Sequence, residues 1–178
     1  MTLTKTLASL FVLPVLMTGP ALSKVQHGEV VFLEPADFAG QYRAIAETVY
    51  SHNIAIVDGS VHTHLCTSPK KGGNIAGWYN SYKNFMVICD GPQALKNETL
   101  AHEAVHVAQD CRGELDTEHL LKANKSYLTA ILNNIDPRKS ALIASLYPKH
   151  VWEIELEAFF YETRPNLVLE LLNKECAS

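Results

Sequence analysis

The spacing of hydrophobic positions changes partway along this chain. Phe38, Tyr42, Ile45, Ala46 and Val49 recur at helical spacing behind Pro35, which predicts a helix over 35–51 with one face toward a core. His52-Asn53 interrupts that pattern. Short runs rich in β-branched and aromatic residues follow at 54–57, 61–66, 77–80 and 84–89, punctuated by Asp58-Gly59, by the Pro-, Lys- and Gly-containing stretch 67–76, and by 81–83. They predict a small, antiparallel-rich sheet. From Asn97 onward the period is helical again. One helix runs from an Asn97 cap to a left-handed Gly113. Others are expected from Asp116 or Thr117 to about 134, from Asp136-Pro137 to about 147, over 151–162, and from Pro165 toward Cys176. Strands in the first half and helices in the second make an α+β domain, with no repeat or linker that would divide it.

The first residues do not fit this scheme. Lys5 precedes the apolar run 7–17, which is short for a bilayer span, and Ala21-Leu22-Ser23 has the small-x-small form of a cleavage site. The expectation is a secretory signal peptide over 1–23 and one domain over 24–178. Within the latter, Val30-Val31-Phe32-Leu33 reads as a short strand or docking arm, or part of a pro-segment. A secreted or periplasmic chain without stable membrane insertion follows. The formal charge of −4 is mild and Lys70-Lys71 is the densest basic feature, so nucleic acid is not an expected partner. Four cysteines behind such a leader imply two disulfides. Of three pairings, Cys66 with Cys89 and Cys111 with Cys176 is preferred. No Cys-x-x-Cys spacing supports a four-cysteine zinc site.

The chemistry concentrates in His102-Glu103-Ala104-Val105-His106. Two histidines four apart on a helix project from one face, so both imidazoles can reach one Zn²⁺. Glu103 lies about a third of a turn round from His102, beside an open coordination position, where a carboxylate can act as general base. Leu100, Ala101, Ala104, Val105 and Ala108 give the same helix a core-facing surface, and an inward carboxylate there needs a cation.

A third ligand must come from elsewhere. The metzincin pattern fails, because Gln109 and Arg112 stand where that family has glycine and histidine. Cys111 falls on nearly the wrong face of the helix. The acidic run Glu153, Glu155, Glu157 is the remaining source. Glu153 and Glu157 share a face and Glu155 points away from both, so helix geometry alone leaves the ligand open.

Here the chain resembles the gluzincin group of zinc metallopeptidases over roughly 76–161. In that group the His-Glu-x-x-His helix is followed by a helix supplying a glutamate, often as Glu-x-x-Ala. Glu155-Leu156-Glu157-Ala158 matches that pattern. The resemblance therefore implies Zn²⁺ on His102, His106 and Glu155, catalysis through Glu103, and a peptide or protein substrate. One departure is Phe159, where several members carry an acidic residue or Asn that supports a histidine. That support then comes from Glu157, Asp110 or Asp116, or the ligand register shifts to Glu153 or Glu157. A non-catalytic zinc-binding or partner-binding module that retains the site is the alternative reading. His62 and His64 as a second metal site, His150 or Tyr161 as oxyanion partners, and the sequon Asn97-Glu98-Thr99 serving as a helix cap complete the candidates.

Overall fold

The computed structural model describes residues 30–67, 74–113 and 123–177. The expected leader, the loop tip at 68–73 and the helix start at Asp116 or Thr117 lie outside them. Helix α1 (Gln41–Ser51) is preceded by a 3₁₀ turn, Pro35–Asp37, instead of continuing from it. The break falls at Gly40, whose φ of 56° lies in the left-handed region that glycine enters without steric cost. Phe38 is nonetheless buried, along with Ile45, Ala46 and Val49 of the helical stripe.

Strands β1 (Ala55–Asp58), β2 (Gly77–Asn80) and β3 (Phe85–Ile88) form a three-stranded sheet in the order β1-β3-β2. The fold is α+β as the pattern predicts, and the sheet is mixed: β2 and β3 form the antiparallel hairpin, while β1 runs parallel to β3. Asn84, at φ 51°, closes the hairpin in the left-handed conformation that Asn tolerates. Side chains alternate across the sheet, so Ile56, Met86 and Ile88 join the main core with the helices. Val57 and Val87 join a second cluster with Cys66 and Cys89 on the opposite face. The arm before α1 lies along β1, with Asp58 N–H donating to Val31 O, Leu33 N–H donating to Ile56 O, and a bridge between Phe32 and Val57.

The run 61–66 is not a strand. It holds a 3₁₀ turn, Thr63–Cys66. Gly59 N–H donates to Ile88 O, and Cys66 is bonded to Cys89. Both ends of the segment are therefore tied to the end of β3, whereas six extended residues would carry the chain about 20 Å away. His62 Nε2 accepts from the Val31 backbone N–H at 3.3 Å, which gives this histidine a structural partner.

Helix α2 (Gln93–Arg112) starts a turn earlier than expected, behind Pro92, so Asn97 is inside the helix and accepts a bond from Gln93 Nε2 in place of capping. It ends at Gly113 with φ −87°, without a left-handed residue. Every residue from Thr99 to Asp110 is buried. The sheet and α1 contact this helix, as do α5 (Trp152–Tyr161) and α6 (Pro165–Glu175). Helices α3 (Lys125–Asn134) and α4 (Pro137–Leu146) pack on α5 and enclose a third cluster of Ile131, Ile135, Ile143 and Leu156. The α3 cap is Asn124, which accepts from Tyr127 N–H; Asp136 caps α4 as expected, accepting from Arg138 N–H. Disulfides join Cys66 to Cys89 and Cys111 to Cys176, the preferred pairing, and the second ties the end of α2 to the end of α6.

Gly77 is where the sheet comes closest to α2. A Cβ there would stand 2.5 Å from Thr99 Cγ2, 2.6 Å from Val87 O and 3.6 Å from Glu103 Oε1. Two of these are distances no packed pair adopts, and one belongs to backbone. Gly77→Ala should therefore push β2 off the helix and cost about 1–3 kcal/mol in urea unfolding, a typical overpacking penalty. An unchanged midpoint would mean that β2 is free to move away from α2.

Candidate functional site

Helix α2 supplies two imidazoles one turn apart, with ring centroids 5.1 Å from each other, and α5 brings Glu155 across them. His102 Nε2 lies 3.3 Å from Glu155 Oε2, and His106 Nε2 lies 3.8 Å from Glu155 Oε1. The ligand-type atoms of these three residues fall within 4.8 Å of one another, making a group that could hold a metal ion. All three side chains are nearly closed to solvent, and Glu155 Oε2, itself buried, has no well-aligned hydrogen bond beyond its approach to His102. Leaving an anionic oxygen in that condition costs several kcal/mol unless a cation attends it.

The outward nitrogens are spoken for. His102 Nδ1 is 3.0 Å from Glu162 Oε2, a carboxylate held in turn by Lys139 Nζ at 2.6 Å. His106 Nδ1 is 2.8 Å from Gln109 Oε1. A carboxylate or amide oxygen is an acceptor, so each histidine can keep its proton on Nδ1 and turn the lone pair of Nε2 toward Glu155. Gln109 is fixed from behind: its Nε2 donates to Glu157 Oε2 at 2.9 Å and to Ile154 O at 3.0 Å.

Glu155 and Glu157 point to different faces, as expected from their spacing, but α5 is buried on both. Glu155 meets His102 and His106. Glu157, fully buried, reaches α2 further along, at Gln109 and Arg112. Glu153 is exposed. The missing support at Phe159 is thus supplied by Glu162, seven residues after Glu155 and two helical turns along the same face, while the Phe159 ring packs edge-on against His102 at 4.8 Å. Asp110 does not fill that role. It is buried and accepts from Tyr79 O–H at 2.8 Å, and burial raises its carboxyl above the usual range.

Charges in the site depend on one another. Burial alone would lower His102, but contact with Glu155 and Glu162 and the charge of Glu103 outweigh it and push the imidazole up to about 10. Burial would raise Glu155 and Glu162; contact with His102 outweighs this in both, helped by His106 and by Lys139 respectively, and holds them below the ordinary range. Burial raises Glu103, which the two histidines partly offset. Without a metal, protonated His102 is itself the cation between two carboxylates.

Neither sequence candidate for an oxyanion partner is the group beside these charges. His150 is exposed, and the Tyr161 hydroxyl is bonded to that of Tyr127. Tyr147 stands there instead, just past α4. Burial, with the charges of Glu155 and Glu103 added, pushes its phenol well above its usual value. Glu162, Gln109, Lys139 and Tyr147 were not foreseen as site residues. For two of them a helical-face argument was available in the sequence: Gln109 is three residues from His106, and Glu162 is in phase with Glu155.

Because the folded pKa of His102 exceeds its unfolded value of about 6.5, this residue stabilises the metal-free fold fully below pH of about 6.5 and loses that contribution as pH rises toward 10. Urea midpoints of chelator-treated protein should fall over that range. In His102→Ala the alkaline decline should be shallower, and parallel curves for the two proteins would show that His102 is not held by the carboxylates.

A family model described as a domain of unknown function, DUF8637, matches residues 92–177. The matched part runs from the start of α2 through α6, just under half of the chain, and contains both histidines, Glu103 and Glu155. No curated protein matches the chain, and no solved structure does.

Proposed function

We propose that this chain is a zinc metallopeptidase of the gluzincin type, with His102, His106 and Glu155 as ligands and Glu103 as general base. The observation that carries the reading is the convergence of two imidazole Nε2 atoms and one carboxylate, all nearly closed to solvent, with ligand-type atoms within 4.8 Å of one another. Two histidines and a glutamate are a donor set that zinc takes at catalytic sites, leaving a fourth position open. Support for both histidines from behind is also what such ligands need.

The bound ion would supply Lewis acidity and bring the pKa of a water near neutral. Glu103 would take that water's proton as the peptide carbonyl is attacked and return it to the leaving amine. A carboxyl raised by burial suits this exchange. The Tyr147 O–H would donate to the carbonyl oxygen as negative charge develops there. Two disulfides suit an oxidising compartment, and among the described residues no helix is long and apolar enough to cross a membrane. We therefore extend the reading to a secreted or periplasmic enzyme acting on peptides or proteins.

Glu103→Gln should keep zinc and lose about 10² or more in turnover of a mixed peptide pool, since general-base assistance typically supplies 10²- to 10⁴-fold. A parent that binds zinc but hydrolyses nothing would favour the non-catalytic module. Of the three glutamates, Glu155→Gln should weaken zinc binding most. Glu157→Gln should weaken it by at most about 10–100-fold, because it acts through Gln109. Exposed Glu153→Gln should leave zinc binding as it is. Zinc titrations that placed Glu153 or Glu157 first would remove Glu155 as the ligand.

A further inference from the structure

We infer that Arg112 is a positioning residue for His106, acting through Glu157 and Gln109 to select the imidazole tautomer that leaves Nε2 free for a metal. The inference rests on the zinc reading for its consequence, while its first readout is independent of metal.

The argument begins at the far end of the chain of contacts. Glu157 is fully buried, and an unpaired carboxylate there would be expensive. Arg112 meets it with a two-pronged contact, Nη1 to Oε2 at 3.1 Å and Nη2 to Oε1 at 2.9 Å, the geometry that a guanidinium provides and an ammonium does not. Arg112 is itself located from a second side, since its Nε lies 3.4 Å from Glu175 Oε2. Its neighbour Cys111 is bonded to Cys176, the neighbour of Glu175, so the two ends that bear these charges are covalently joined.

The consequence passes to Gln109, whose amide has two orientations of nearly equal shape and opposite chemistry. Glu157 in its ionised form accepts and does not donate. With Ile154 O as a second acceptor, the NH₂ of Gln109 has two partners on one side, and its carbonyl oxygen is left facing His106 Nδ1. That oxygen can receive only an N–H. In the neutral form His106 then carries its proton on Nδ1, which leaves the Nε2 lone pair, 3.8 Å from Glu155 Oε1, for a metal. If the Gln109 amide turned over, an N–H would face Nδ1, the proton would move to Nε2, and the ligand atom would be blocked. Arg112 holds this arrangement by fixing the Glu157 carboxylate in place through its two-pronged contact.

The test uses the full-length, disulfide-bonded protein. Imidazole ¹⁵N shifts of the metal-free parent should show His106 as the Nδ1–H form. Arg112→Met should let the Nε2–H form appear and should weaken Zn²⁺ binding, measured by chelator competition, by about 10–100-fold, the usual range for supporting partners of a ligand. Arg112→Lys keeps the charge but loses the fork, and should fall between the parent and Arg112→Met. If Arg112→Met does not fold, Arg112→Met/Glu157→Gln replaces it. A neutral amide at 157 can donate as well as accept, so Ile154 O is left as the one fixed acceptor for the Gln109 NH₂, the preference for its present orientation is reduced, and the same two changes are expected in smaller measure. The lysine variant is read whatever the fate of the other two. Folded variants that keep the Nδ1–H form and bind Zn²⁺ within about threefold of the parent would overturn the inference. A parent that takes up no stoichiometric Zn²⁺ would instead overturn the metallopeptidase reading, with the tautomer result still deciding the role of Arg112.

Discussion

Helix α2 is buried along twelve consecutive residues, Thr99 to Asp110, and five of them are His102, Glu103, His106, Gln109 and Asp110. A helix closed in on all sides is ordinarily apolar, since each polar atom taken from water needs a partner inside. Much of the surrounding structure answers that need. Helix α5 brings Glu155 and Glu157 to two levels of α2, Glu162 approaches from the C-cap of α5, and α4 contributes Lys139 to neutralise Glu162. On the sheet side Tyr79 reaches Asp110, and glycine at 77 allows β2 to lie against Glu103.

These contacts form two supporting branches of different chemistry. The branch behind His102 is charged throughout, with Lys139, Glu162 and the imidazole in sequence, so it responds to pH and to the arrival of a second cation. The branch behind His106 passes through a neutral amide and ends in a buried ion pair remote from the gap between the histidines. Buried ion pairs of this sort add little net stability compared with apolar packing, but removing one partner is costly, which favours a fixed geometry over a strong one. The two histidines thus share a function in the proposed site while being held by unlike means.

Much of this was legible in the residues. The His-Glu-x-x-His spacing placed two histidines and a glutamate on one helix, the cysteines paired as preferred, and the change from short runs to helical spacing gave an α+β chain. What the sequence concealed depends on how elements dock. Val61 to Cys66 has the alternation of a strand, yet its two ends are both fastened near Cys89, and that closure is visible only in three dimensions. Asn97 looked like a cap because side chains that favour caps also occur inside helices, and Pro92 began α2 earlier. The choice among Glu153, Glu155 and Glu157 assumed a helix with one buried face. Since α5 is covered on two sides, both Glu155 and Glu157 found partners, and Glu162 took the supporting place that Phe159 vacated.

The bond between Cys111 and Cys176 has a further consequence for how the protein withstands attack. It closes a covalent ring spanning 65 positions that contains α3, α4, α5 and α6. A single backbone cut anywhere inside that ring leaves both fragments attached. Glu155 would remain tethered to the helix that bears His102 and His106, and the nicked molecule would keep its mass on a non-reducing gel. A clip in this half of the chain therefore need not separate the residues of the proposed site.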